Sequence, residues 1–298
     1  MPERLELVEV SPRDGLQNEV VALGVEDKLR LIDLVVASGL RRLEAGSFVN
    51  PKKVPQMAGS DAVFEALRGR VDGAFIALAL NARGVERALA AGAREINYSL
   101  AASDGFAIRN NGADVAGLLA AWPEAASLAR AGGARLSVTI STVFGCPFDG
   151  EVDPGRVGAI VAEAAAAGPD EIALADTIGV ATPKDVRVCF ERAAQAAPGL
   201  RLRAHFHNTR NTALANAVAA VEAGVRVLDG SLGGIGGCPF APGAAGNVPT
   251  EDLAWMFARM GEPTGLDFDA AKQVVAFLRE KLGKPTPGMV SRAPKWPA

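Results

Sequence analysis

The chain has 298 residues, 49% hydrophobic but only 5% aromatic, and a net charge of −3 from 31 basic and 34 acidic side chains. That length suffices for a large core, and charges interspersed without a basic stripe or tail speak against nucleic acid or a membrane surface as partners. Three cysteines, Cys146, Cys189 and Cys238, form no disulfide framework, no apolar run could span a bilayer, and the start at Met1-Pro2 has no signal-peptide character, so the expected compartment is the cytoplasm.

Strand-like and helix-like segments alternate along the chain. Leu5 to Val10 reads as a strand, Val25 to Ser38 as a helix stopped by Gly39, and Arg42 to Ala45 as a short strand. Asp61 to Gly69 follows as a helix, Gly73 to Leu80 as a strand, and Ala82 to Ala91 as a helix. Then come strand Glu95 to Leu100, helix Val115 to Ala131 and strand Arg135 to Val143. Asp153 and Pro154 open a helix to Ala167 as N-cap and first residue. Strand Glu171 to Ala175, helix Pro183 to Ala196, strand Leu202 to His207, helix Asn211 to Ala223 and strand Val225 to Asp229 complete the series. Eight such steps favour a closed (β/α)8 TIM barrel, with additional C-terminal helices after about residue 265. An open doubly wound sheet is disfavoured because no GxGxxG follows the first strand, and no Pro, Gly or Ser-rich linker divides residues 1–298.

Chemistry in a barrel sits at the C-terminal ends of its strands, and unusual polar residues gather there. The only two histidines, His205 and His207, lie two apart at the end of the seventh strand, hence on one face. The first strand ends in Arg13-Asp14-Gly15-Leu16-Gln17, and the eighth opens into a glycine-rich loop around Cys238 and Asn247. Asp14, His205, His207 and the Asn247 amide oxygen make a mixed N/O donor set. It suits six-coordinate Mg²⁺ or Mn²⁺ better than tetrahedral Zn²⁺. Arg13 beside a metal ligand is a natural donor to an oxyanion, and Glu44 on the neighbouring strand can hold it. Asp176 reads either as a partner behind a histidine or as a cap for the next helix. Cys238 is either a packed thiol or, in a loop rich in glycine, a proton-transfer group.

Pro12 through Glu19, Ser47 through Lys52, Gly145-Cys146-Pro147-Phe148, Asp176-Thr177-Ile178-Gly179, Gly236 through Ala241 and Gly243 through Leu253 together resemble hydroxymethylglutaryl-CoA lyase, over nearly the whole chain. The resemblance implies cleavage of 3-hydroxy-3-methylglutaryl-CoA to acetyl-CoA and acetoacetate. Asp14, His205, His207 and Asn247 would bind the divalent cation, Arg13 would steady the thioester enolate, Cys238 would handle a proton, and Asp14 and Asp176 are both candidates for the base that takes the hydroxyl proton. An acyl-CoA substrate follows, with a homo-oligomer, dimer favoured, as the expected assembly. Gln17, Ser47, Thr139 and Arg210 are further candidates for substrate contact.

Two departures bear on the acyl group. The family's Asp-Thr-Tyr-Gly after HxH is here Asn208-Thr209-Arg210-Asn211, and its Arg and Tyr on the fifth strand are Ser137 and Thr139. A bulkier 3-hydroxyglutaryl-CoA therefore stays open as the substrate. A Claisen synthase of the same superfamily would need further C-terminal domains, and a non-catalytic binder would have no use for the complete donor set.

Overall fold

The computed structural model describes residues 4–237 and 246–295. Eight parallel strands close into a barrel in sequence order, β8 pairing with β1. They are β1 (Glu6–Glu9), β2 (Arg42–Ser47), β3 (Ala74–Ala79), β4 (Glu95–Ala101), β5 (Arg135–Ser141), β6 (Glu171–Asp176), β7 (Arg201–Phe206) and β8 (Val227–Gly230). The helices are α1 (Val25–Ala37), α2 (Ser60–Leu67), α3 (Ala82–Ala91), α4 (Asp104–Asn111), α5 (Val115–Ala131), α6 (Pro154–Ala166), α7 (Pro183–Ala196), α8 (Ala213–Glu222), α9 (Thr250–Arg259) and α10 (Phe268–Leu282). Sequence patterning misses α4, a short and weakly amphipathic helix between β4 and α5. The expected group of helices after residue 265 is α10 alone among the described residues; the chain then runs without regular helix over the short turn Leu232–Gly234 at the barrel mouth, where Gly288 N–H bonds the Gly233 carbonyl (2.9 Å). No helix among the described residues is long and apolar enough to cross a membrane.

Most of the core lies between the outer face of the barrel and the helices, where small Ala and Val side chains allow close approach. Inside the barrel the apolar contribution is small: Val8, Val10, Ile76 and Val227 form a separate cluster. Much of the rest of the lumen is polar, with Leu78 and Ala175 as apolar exceptions in the cavity wall. The first residues of β1, β2, β4, β5, β6 and β7 are Glu6, Arg42, Glu95, Arg135, Glu171 and Arg201, alternating in sign. They close the floor of the barrel as an ion-paired plug. Arg42 donates to Glu95 through Nε (3.0 Å) and to Glu171 through both terminal nitrogens (2.8 and 2.9 Å), while Arg201 pairs with Glu6 (2.9 Å). Glu171 is fully buried, yet its carboxyl lies below the usual range because Arg203 and Arg42 outweigh the burial that would raise it. A charged floor leaves the C-terminal mouth as the open end of the lumen, and the site is built there.

Candidate active site

The chain leaves β1 through one π-helical turn, Ser11–Gly15, in which Gly15 N–H bonds the Val10 carbonyl (3.0 Å). Such a turn inserts one residue relative to an α-turn and re-aims its side chains. Here it brings Arg13 and Asp14 over the mouth. Gly15 and Gly236 make the turn possible from both sides. A Cβ on Gly15 would lie 2.8 Å from Ile235, and one on Gly236, at φ +99°, would lie 2.6 Å from the Asn247 amide. The segments flanking the glycine-rich loop after β8 are thus pressed against the Arg13-Asp14 turn.

Strand alternation turns Arg203, His205 and then His207 toward the lumen. His207 and Asn247 form an isolated antiparallel bridge just past the strand end. The result gathers residues from β1, β7 and the β8 loop. Asp14 Oδ2 lies 3.9 Å from His205 Nε2 and 3.6 Å from His207 Nε2, and accepts a hydrogen bond from Asn247 Nδ2 (2.7 Å). The amide nitrogen also donates to the Ile235 carbonyl (3.2 Å), so Oδ1 is the atom Asn247 has to offer a cation. Burial would raise the Asp14 carboxyl, but Arg13 and the two histidines hold it well below the usual carboxylate range.

Arg13 is fixed on two sides. Its Nε donates to Glu44 (2.6 Å) and its Nη1 to Asp14 Oδ1 (2.7 Å). Burial opposes the guanidinium charge, and the Glu44 and Asp14 carboxylates more than restore it. Glu44 is itself held by Asn97 Nδ2 (2.9 Å), whose amide also meets Thr139 Oγ1. These groups open on a cavity of about 510 Å³, lined by Arg13, Asp14, Gln17, Asn97, Thr139 and both histidines, with Lys53 and Arg109 farther out.

The sequence-derived candidates do not all reach that cavity. Gln17 and Thr139 line it; Ser137 lies beneath, against Asn97. Ser47 is buried next to Ser60 and forms no part of the lining. Arg210 is turned away, its Nη1 donating to the Ile178 (2.9 Å) and Gly179 (3.1 Å) carbonyls beyond β6, so it carries no charge into the acyl pocket. Asp176 neither backs a histidine through a hydrogen bond among the described residues nor caps α7, whose N-terminus is closed by the Thr182–Asp185 capping box. It accepts from the Val180 (2.9 Å) and Ala181 (3.0 Å) amides ahead of α7, because alternation along β6 gives Ala175 and Thr177 the cavity side. Burial raises its carboxyl, against those two bonds. Cys238 lies outside the described residues.

The partner behind a histidine is Asp229, at the end of β8, whose Oδ2 lies 3.1 Å from His205 Nδ1. Sequence reading ended the eighth strand at this residue without giving it a role; its place at a strand end beside HxH was the available signal. Burial would raise its carboxyl, but Arg203 first, and then His205, keep it below the usual range.

Asp14, His205 and His207 each offer one donor atom, all within 4.8 Å of one another. With His205 Nδ1 taken by Asp229, its Nε2 faces Asp14. Among the described residues the carboxylates Asp14, Glu44 and Asp229 are ion-paired with two guanidiniums, Arg13 and Arg203, which favours added positive charge. Donor chemistry, spacing and charge all fit a divalent cation.

Fold and site together define a barrel enzyme with a candidate divalent-cation centre at its mouth. The HMGL-like family model matches residues 4–278, and the chain belongs to that family; it is a carbon–carbon lyase. It is 44% identical to (R)-citramalyl-CoA lyase of Chloroflexus aurantiacus, over 98% of this chain and 95% of the relative. It is 42% identical to 3-hydroxy-3-isohexenylglutaryl-CoA/hydroxy-methylglutaryl-CoA lyase of Pseudomonas aeruginosa, over 95% and 96%. Among solved structures, an HMG-CoA lyase from Acinetobacter baumannii in complex with coenzyme A and 3-methylmalate superposes with a TM-score of 0.92 at 39% identity, covering 97% of this chain and 95% of that one.

Proposed function

We propose that residues 1–298 form one barrel domain that cleaves 3-hydroxy-3-methylglutaryl-CoA to acetyl-CoA and acetoacetate, using Mg²⁺ or Mn²⁺. The observation that carries this reading is the convergence of Asp14, His205 and His207 beside a guanidinium already clamped by Glu44. The reaction removes the proton of the C3 hydroxyl and breaks the C2–C3 bond. The bonding pair passes to the thioester carbonyl as an enolate, and C2 is then protonated. A divalent cation held by Asp14, His205, His207 and Asn247 would supply Lewis-acid polarisation of the substrate oxygens.

Arg13 presents its guanidinium to the thioester oxygen, where charge develops. Glu44 and Asp14 fix the fork in advance, so little reorganisation accompanies bond breaking. Asp14, held ionised, is suited to ligation and poorly suited to taking a proton. Cys238 is the proposed proton donor to C2. Lys53 and Arg109 at the outer wall supply positive charge for the phosphates of an acyl-CoA.

Citramalyl-CoA is a second reading, supported by the 44% identity to the (R)-citramalyl-CoA lyase of Chloroflexus aurantiacus. Its carboxyl sits one carbon nearer the carbinol, and the same bond cleavage gives acetyl-CoA and pyruvate. The experiment measures acetyl-CoA release with Mg²⁺ or Mn²⁺, and after chelation, from both thioesters and from a 3-hydroxyglutaryl-CoA with a longer C3 branch. The kcat/KM ranking assigns the acyl group. Cation-independent release, or none from any of the three, overturns the reading.

A further inference from the structure

Behind the donor set stands a second line of charge that the proposed chemistry does not use. Asp229 Oδ2 meets His205 Nδ1 at 3.1 Å, and Asp229 Oδ1 lies 3.4 Å from Arg203 Nε. Arg203 in turn lies 3.4 Å from Glu171 in the floor and donates from Nη2 to Thr139 Oγ1 (3.3 Å) in the cavity wall. Arg203 is 1% exposed, and its Nε and Nη1 complete no hydrogen bond among the described residues; nor does Asp229 Oδ1. A buried guanidinium with so few bonds made is a poor stabilising device. An apolar side chain of similar volume commonly serves stability as well or better. What the arrangement does achieve is orientation. Only one carboxylate oxygen is spent on a hydrogen bond, and it fixes the plane of His205 and the nitrogen that carries the proton.

We propose that Asp229 and Arg203 are positioning residues for the cation centre: Asp229 holds His205 with the proton on Nδ1 and Nε2 bare toward Asp14, and Arg203 anchors Asp229 from below. This rests on the reading that Asp14, His205 and His207 hold a divalent cation. An imidazole whose second nitrogen donates to a carboxylate is oriented and more basic at the ligating nitrogen. Loss of such a partner typically weakens metal affinity by roughly 10- to 100-fold. Arg203 acts through Asp229, so its removal should cost little once Asp229 has lost its charge.

The chain has only two histidines, which makes the test direct. Mn²⁺ affinity is measured by electron paramagnetic resonance on the parent, Asp229→Asn, Arg203→Met and the double variant, with circular dichroism melts in parallel. Imidazole ¹⁵N spectra of the cation-free protein, at a pH where both rings are neutral, report the tautomers. The expected result is one ring fixed as the Nδ1–H form in the parent and a mixed tautomer in Asp229→Asn. Mn²⁺ binding should weaken roughly 10- to 100-fold in that variant, and the double variant should be no weaker than Asp229→Asn alone. Parent-like Mn²⁺ affinity and an unchanged His205 tautomer in Asp229→Asn overturn the proposal and leave the cation centre standing. Multiplicative losses in the double variant overturn the role of Arg203. A parent that binds no Mn²⁺ removes the cation reading itself and the proposal with it. If Arg203→Met unfolds, Arg203→Lys takes its place, keeping the charge and losing the fork.

Discussion

Glu251, second residue of α9, sits at the root of the β8 loop with its carboxylate buried and Oε2 accepting the Gly233 amide (2.9 Å). Oε1 finds no hydrogen-bond partner among the described residues. Burial, with the nearby Asp252 and Glu9 carboxylates adding to it, pushes the group from 4.5 up to about 7, against the Gly233 bond. A carboxyl raised in the folded state binds its proton more tightly there than in the unfolded chain. Its contribution to stability is therefore fully present below about pH 4.5 and is lost as pH rises through about 7. At about 1.4 kcal/mol per pH unit the loss amounts to roughly 3 kcal/mol. Glu251→Gln keeps an oxygen for the Gly233 amide and cannot ionise. Urea unfolding of parent and variant across this pH range isolates the group together with its coupling to Glu9 and Asp252, since the remaining titrations are common to both. The stability of the variant relative to the parent should climb by roughly 3 kcal/mol from about pH 4.5 to about pH 8. Two stability curves that run parallel over that interval would refute the assignment of a buried, proton-binding Glu251.

Removing one plug cation with Arg42→Met takes from Glu95 and Glu171 their shortest ion pairs and should cost roughly 3–5 kcal/mol in urea unfolding; a cost under about 1 kcal/mol would mean the floor is solvated. Arg13→Met should leave Mn²⁺ affinity nearly intact while kcat falls roughly 10²–10³-fold; a rise in KM alone would reduce Arg13 to substrate binding. His205→Ala should abolish most Mn²⁺ binding together with activity, and equilibrium dialysis showing parent-like metal content would remove it from the centre. Cys238→Ser should fold and bind Mn²⁺ normally yet lose most turnover, since a hydroxyl is a far weaker acid than a thiol; a variant that keeps most of its kcat would end the proton-transfer role.

The eight-step cadence was legible in the sequence because apolar runs and terminal glycines recur at every unit, and the barrel followed from counting them. The grouping of Asp14, His205 and His207 as a candidate cation site was legible too. Histidine is so scarce here that one HxH stands out, and barrel topology puts it opposite the turn after β1. What pattern could not convey was the direction of side chains at strand ends. Asp176 and Asp229 both end strands and look equivalent in sequence; alternation along each strand sends one to two amides of the loop before α7 and the other to His205. Arg210 follows HxH closely and seemed to offer a new cation, but the turn after β7 spends its guanidinium on two carbonyls. Pattern gives no sign of the charged floor, since a single charged residue opening a strand is ordinary. Only closure of the barrel shows that six of them meet.

The alternating floor also determines which pieces of this chain can stand alone. A cut between α5 and β5 gives an N-terminal half carrying Glu6, Arg42 and Glu95, and a C-terminal half carrying Arg135, Glu171 and Arg201. One half keeps a surplus carboxylate and the other a surplus guanidinium, while the Arg42–Glu171 and Glu6–Arg201 contacts cross the cut. Neither half can bury its floor without the other, but each carries the charge its complement lacks. The floor charges thus favour recombination of separately expressed halves with one another over self-pairing, and barrel closure in the intact chain is the step at which the Arg42–Glu171 and Arg201–Glu6 pairs form.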